Sequence, residues 1–209
     1  PIRKFVPSLE FQNEELNRTV TLRDMLAHRT GITRHDMIWF KSPDSRQQLF
    51  DKLRYLEPKV PLRQSFIYNN LMYIGAGQAM EIVSGKTWES IVQERIFTPL
   101  GMTSSVFTME AMKKAQDRGV PFDERRDSFE LYPIPYYEGS VGSAPCEAIV
   151  SNVQDMSKWL IALMNQGKYQ GRQVLAPSIL EATLEPAIPD ENSDIKDFGY
   201  KELLNPFYG

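Results

Sequence analysis

Histidine and cysteine are nearly missing from this chain. Its 209 residues hold two histidines, His28 and His35, and one cysteine, Cys146. A single cysteine excludes an internal disulfide and any cysteine-built metal site. The histidines stand seven positions apart, two helical turns, which is too far for the i, i+4 pair of a helical zinc site. No basic run, Gly/Ser tract or repeat with a period of about 20 to 50 residues occurs. With 24 Lys+Arg against 27 Asp+Glu the net charge is −3, so nothing points to nucleic acid or an anionic membrane as partner. No apolar run reaches the roughly 18 residues of a membrane span. The start, "PIRKFVP", has neither Met nor an apolar leader, and the end, "NPFYG", reads like the approach to a strand. Both ends look cut, so the expectation is one partial domain, residues 1–209, of a longer protein.

What is present is enough for a folded core: 42% of the residues are hydrophobic and 11% aromatic. Residues 1–20 read as an extended entry. Thr21 and Asp24 form a capping-box pattern ahead of Leu22, Met25 and Leu26, with Gly31 as the stop. "SPDSRQQLFDKLRYL" repeats this grammar, with Ser42 as the expected cap and Pro43 in the first turn. From Leu71 to Val83 the only strongly polar side chains are Gln78 and Glu81, which predicts a central, buried helix. Gly75 and Gly77 each cost about 1 kcal/mol in a helix interior, so close packing is expected there. Gly85 ends that helix, and Thr87 caps another that Pro99 should stop. Residues 119–150 read as loop with one short strand. In "SNVQDMSKWLIALMNQG", Ser151 and Gln154 suggest the cap, and Met156, Trp159, Leu160, Leu163 and Met164 the apolar face. A short helix, "APSILEATLEP", and a polar loop, "PDENSDIKD", follow. No stretch alternates well enough to build a sheet. The fold class is mostly α.

Two motif-like strings carry no chemistry. "SGKT" at Ser84–Thr87 lacks the upstream glycine of a phosphate-binding loop, because Met80 stands there, and it follows a helix rather than a strand. "GSVGSAP" lacks the spacing of a nucleophile elbow. "FIYNN", Phe66–Asn70, is harder to place. Asparagine is among the best helix N-caps, while an extended backbone would turn Tyr68 and Asn70 toward one side. Spacing alone leaves both readings open.

The surroundings add a resemblance. "TLRDMLAHRTGI", "FIYNNLMYIGAGQAMEIVSGKTWESIVQERIFTPLGM" and "AIVSNVQDMSKWLIALMNQGKYQGRQVL" stand in that order. Together they resemble the serine β-lactamase-like family, which comprises class C β-lactamases, penicillin-binding DD-peptidases and related esterases. The turn motif falls on Leu26, His28, Thr30 and Gly31, the Tyr-x-Asn motif on Tyr68 and Asn70, and "PLGM" on Pro99–Met102. The resemblance implies the helical lobe of the α/β β-lactamase/transpeptidase-like fold, with little of the sheet. It also implies an acyl-serine intermediate formed on an ester, a D-amino-acid peptide or a β-lactam. Tyr68 would act in proton transfer and Asn70 would hold the substrate, with no metal or organic cofactor. A phenol is a poor base, with pKa about 10, and serving near neutrality takes roughly 4 kcal/mol of help, most simply from neighbouring ammonium groups.

The chain departs from that pattern. Its only Ser-x-x-Lys string, Ser193–Lys196, lies in the polar loop after the tyrosine, so the nucleophile is expected before Pro1 and the Lys/His-x-Gly motif beyond Gly209. Cys146 and Glu147 stand at a turn where small residues are typical of the family. Glu147, if it faces the cleft, would bind substrate and disfavour an anionic one; otherwise it points to solvent. Cys146 reads as a small buried hydrophobe, His28 as a structural residue of its turn and Trp159 as core. The resemblance favours a periplasmic or secreted location and a small-molecule or peptide substrate. Two rival readings are a non-catalytic relative that binds peptidoglycan-like ligands or protein partners, and a self-sufficient all-α binding module.

Overall fold

The computed structural model describes residues 1–189 and the backbone of Phe207–Tyr208. The Ser193–Lys196 string and the polar loop around it lie outside the described residues.

The first 20 residues are less extended than their sequence suggests. A 3-10 turn spans Ile2–Lys4, and helix α1, Glu14–Thr19, follows. The Asn13 side chain accepts from the amides of Glu15 and Leu16, satisfying two donors that a helix start leaves unpaired. Helix α2, Leu22–Leu26, carries the expected Thr21/Asp24 capping box. It ends earlier than expected, because His28 adopts a left-handed φ of +55°. Gly31 matters later in the turn: at φ +83° a side chain there would run into the carbonyl of Val60.

Helix α3, Arg46–Asp51, begins one turn later than Ser42 would allow. The cap is Ser45, whose hydroxyl accepts from Gln48 N at 3.2 Å while Gln48 Oε1 accepts from Ser45 N at 2.8 Å. This reciprocal box outcompetes Ser42, whose hydroxyl bonds Asp44 instead at 2.8 Å.

Helix α4, Asn70–Ser84, is the axis of the lobe and ends at Gly85 with φ +69°. Leu71, Met72 and Ile74 join Met25, Leu49, Phe50 and Leu53 in the main core. Both glycines are explained by close packing. A Cβ on Gly75 would lie 3.0 Å from Leu53 Cδ1 and Met25 Cε, and one on Gly77 would collide with the Pro145 ring. The helix is not buried all round, however. Met80, Ile82 and Val83 are exposed near its C-terminal end, and with Phe5 and Leu22, Met80 and Val83 border an apolar groove.

Helix α5, Trp88–Val92, starts at the Thr87 cap. It runs through a π turn, Gln93–Phe97, into helix α6, Thr98–Leu100, and Gly101 closes the run at φ +64°. Pro99 therefore does not stop the helix. The wider π turn absorbs a residue that has no N–H to give and whose ring would crowd the preceding turn. Trp88, Val92, Phe97 and Leu100 form a second core with Ala144 and Ala162.

Helix α7, Met109–Lys113, leads into an exposed antiparallel hairpin of β1, Phe122–Glu124, and β2, Leu131–Pro133. Helix α8, Ala144–Glu147, packs on α4 through the Pro145–Gly77 contact. The loop expected over 119–150 thus holds two strands and a short helix. Helix α9, Val153–Met164, is capped by Asn152, not Ser151, whose hydroxyl pairs with Ser105.

The buried side of α9 is also not the predicted one. Met156, Leu160 and Met164 are exposed at 39%, 54% and 84%, whereas Asp155 and Ala162 are buried. The Asp155 carboxylate decides this by accepting from Ser104 N at 2.8 Å and Ser105 Oγ at 2.9 Å. Trp159 is half-buried against the second core. The remaining elements are the two-residue pair β3, Lys168–Tyr169, and β4, Arg172–Gln173; helix α10, Pro177–Leu184; and β5, Ile188–Pro189, paired with β6, Phe207–Tyr208. Among the described residues no helix is long and apolar enough to cross a membrane.

Candidate active site

The turn after α2 and the strand-like segment before α4 are laced together. Lys59 N donates to Gly31 O at 2.8 Å, Arg63 N to Arg29 O at 2.8 Å and Ile67 N to His28 O at 2.8 Å. Side chains reinforce the seam. Asp24, fully buried, accepts from Arg29 Nε at 2.6 Å and from Arg63 Nε and Nη2, each at 2.8 Å. Burial by itself would raise the pKa of Asp24. The bonds from Arg63, Thr21 and Arg29 outweigh it and hold the carboxyl well below the usual carboxylate range. An ionised carboxylate between two guanidiniums therefore anchors the segment that delivers Tyr68.

Asn69 is the cap of α4. Its Oδ1 accepts from Leu71 N at 2.9 Å, and its Nδ2 donates to the carbonyls of Ile32 and Thr33 at 3.2 and 2.7 Å. Its own amide donates to His28 Nδ1 at 3.0 Å. Capping thus consumes Asn69 completely and leaves Tyr68 and Asn70 to either side of it. Among the described residues, neither the Tyr68 hydroxyl nor the Asn70 side chain is hydrogen-bonded.

The Tyr68 ring rests on aromatic support. The His28 ring lies 4.6 Å from it at 38°, and Tyr73, one turn into α4, stacks on His28 at 5.1 Å. Burial pushes the pKa of His28 down to about 4, so this imidazole is neutral near pH 7. With Nδ1 accepting, its proton sits on Nε2. The Arg34 guanidinium lies 5.1 Å from the Tyr68 centroid while its Nε pairs with Asp36 at 2.9 Å. No sequence signal marked Arg34, because it is brought there by the turn at 31–35.

Glu147 is not gathered to the same place. It ends α8, and its Oε1 accepts from Ser143 Oγ and, at 3.4 Å, from the Tyr137 hydroxyl. It lines a cavity with Tyr137, whereas Tyr68 and Asn70 line neither that cavity nor the apolar groove. The segment 33–41 runs between the two places, with Arg34 over Tyr68 and Phe40 stacked on Tyr137 at 5.4 Å. Burial, then Glu147, pushes the Cys146 thiol up to about 12, and its Sγ donates to Ser143 O at 3.1 Å. A thiol in that state is not a nucleophile.

The family model described as Beta-lactamase matches residues 1–200. Unguisins hydrolase ungD' of Aspergillus campestris is 30% identical over 166 residues, covering 76% of this chain and 30% of that protein. Among solved structures, the octameric penicillin-binding protein homologue of Pyrococcus abyssi superposes with a TM-score of 0.74 at 20% identity, covering 92% of this chain and 44% of that one. A D-stereospecific amidohydrolase of Streptomyces superposes with a TM-score of 0.68 at 20% identity, covering 89% of this chain and 57% of that one. The fold is that of the helical lobe of the β-lactamase/transpeptidase-like proteins. The chain spans less than a third of the length of the two unguisins hydrolases it matches, 30% and 27%.

Proposed function

Because this chain belongs to the β-lactamase family, we propose that it is part of a serine hydrolase working through an acyl-serine intermediate. The nucleophile comes from outside the described residues. Tyr68 moves the proton between that serine and the leaving group, and Asn70 holds the substrate's amide or ester group. Substrates are esters, D-amino-acid peptides or β-lactams, with ester or peptide hydrolysis favoured.

One observation carries the assignment. Asn69 supplies the side-chain cap of α4, so capping does not explain Tyr68 and Asn70, whose polar ends remain unengaged by the described residues. A tyrosine held on a neutral, buried imidazole and beside a guanidinium is positioned rather than loose. The matched relatives include proteins named as a hydrolase and an amidohydrolase, which agrees with acyl transfer.

The test is intact-mass spectrometry of the complete polypeptide after exposure to a fluorophosphonate, an activated ester or penicillin, beside its Tyr68→Phe variant. A covalent adduct on one serine, formed at least about tenfold more slowly in the variant, is the expected result; general acid–base groups contribute on the order of 10²–10⁴ in rate. No adduct with any of the three probes would overturn the reading in favour of a non-catalytic binding protein.

A further inference from the structure

The cavity beside α8 has a volume of about 510 Å³, and Phe107, Tyr137, Val141 and Glu147 are among its walls. Its charges are arranged unevenly. Glu89 is paired with Arg46 at 2.6 Å, Glu110 with Lys114 at 3.1 Å and Glu138 with Lys113. Glu147 differs. Only hydroxyl groups donate to it, both to Oε1, and among the described residues no cation pairs with it. Gly139 leaves room for this carboxylate, since a Cβ there would come within 2.8 Å of Oε1.

The wall beside Glu147 is aromatic and held in place. Tyr137 stacks on Phe40 with centroids 5.4 Å apart and planes 7° from parallel. Lys41 Nζ lies 5.5 Å from the Phe40 centroid and 5.9 Å from that of Tyr137, so this ring pair already attracts an ammonium. Lys41 forms no salt bridge with Glu147, and Lys113, which lines the cavity, is committed to Glu138.

The geometry points to a subsite for a primary ammonium group, seated on the Glu147 carboxylate beside the Tyr137 ring. An ammonium gains a charge-assisted hydrogen bond to the carboxylate and an attraction to the ring face, each stronger in a partly desolvated cavity than in water. A ligand carboxylate at the same place meets an unneutralised negative charge. As a deepening of the hydrolase reading, on which this use of the subsite rests, the ammonium is the free amino end of the substrate. The class is then peptide amides and esters with an unblocked amine, since Tyr68 and Asn70 do not line this cavity and the amine must stand several bonds from the carbonyl that reacts. Segment 33–41 bounds the reach such a peptide needs, since six residues from Arg34 to Phe40 span at most about 20 Å even fully extended, and Asp36–Ile38 is coiled into a 3-10 turn.

The experiment is calorimetric titration of the complete polypeptide with phenylalanine amide, N-acetyl-phenylalanine amide and N-acetyl-phenylalanine. The free amine should bind at least about tenfold more tightly than either blocked compound, and added salt should erode that advantage. Glu147→Gln should abolish the preference, and Tyr137→Leu should reduce it. Equal affinity of the wild-type protein for free and blocked amides would overturn the subsite without recourse to any variant. So would a folded Glu147→Gln protein that keeps the preference. The hydrolase reading stands or falls separately on the covalent adduct, which forms or fails to form whatever the amine does.

Discussion

The His28 imidazole packs against two tyrosines, tilted 38° to Tyr68 at 4.6 Å and stacked on Tyr73 at 5.1 Å, while its Nδ1 takes the amide of Asn69. One buried side chain thus sets the height of the candidate proton-transfer tyrosine and the start of α4.

Protonating that imidazole must cost stability. Its pKa is about 4 in the folded protein against an ordinary 6.5, so between those values the unfolded chain binds more protons. Stability should fall as pH drops from about 6.5 to 4, by roughly 3 kcal/mol in all. Urea unfolding across that window checks it, and a His28→Gln protein should lack this phase.

Asp24 should govern a second, more acid phase. Its pKa is depressed in the folded state by Arg63, Thr21 and Arg29, so its contribution is complete above the ordinary carboxylate value of about 4 and is lost as pH falls below it. Asp24→Asn strands two arginines and should destabilise by roughly 3–5 kcal/mol. A loss under about 1 kcal/mol in denaturant titration would contradict the anchoring role.

Asn69 and Asn70 are neighbours with separable duties. Asn69→Ala removes three side-chain bonds, the cap among them, in a fully buried setting, and should cost about 2–3 kcal/mol. Asn70→Ala should change stability by under about 0.5 kcal/mol while slowing acylation of the complete polypeptide. Equal thermal shifts for the two would remove the argument that Asn70 is spared from folding.

Gly77→Ala tests packing against propensity. Alanine is favoured in a helix by about 1 kcal/mol, yet here its Cβ meets the Pro145 ring. The expected sign is destabilising, by about 1–3 kcal/mol, with partial recovery when Pro145 is also changed to Ala.

Local chemistry was legible wherever a residue acts on its own neighbours. The Thr21/Asp24 box, the Thr87 cap and the Gly85 stop could be read directly, because each bond spans only a few residues. The choice of Ser45 over Ser42 was legible in principle, in the Ser-x-x-Gln spacing. The orientation of α9 was not. Its apolar stripe predicts one buried side, but Asp155 binds a segment some 50 residues earlier, Ser104 and Ser105, and turns another side inward.

By itself the amino-acid sequence determined a mostly helical lobe with caps, stops and close-packed glycines, and the family to which it belongs. These rest on short-range hydrogen bonds, periodic burial and ordered motifs, all of which are written along the chain. Only the tertiary structure decided which asparagine of "YNN" does the capping, that His28 and Arg34 flank Tyr68, and that Glu147 sits with Tyr137 in a separate cavity. Each of these depends on which distant backbone carbonyls, rings and charges come within a few ångströms, and linear spacing carries no such distances.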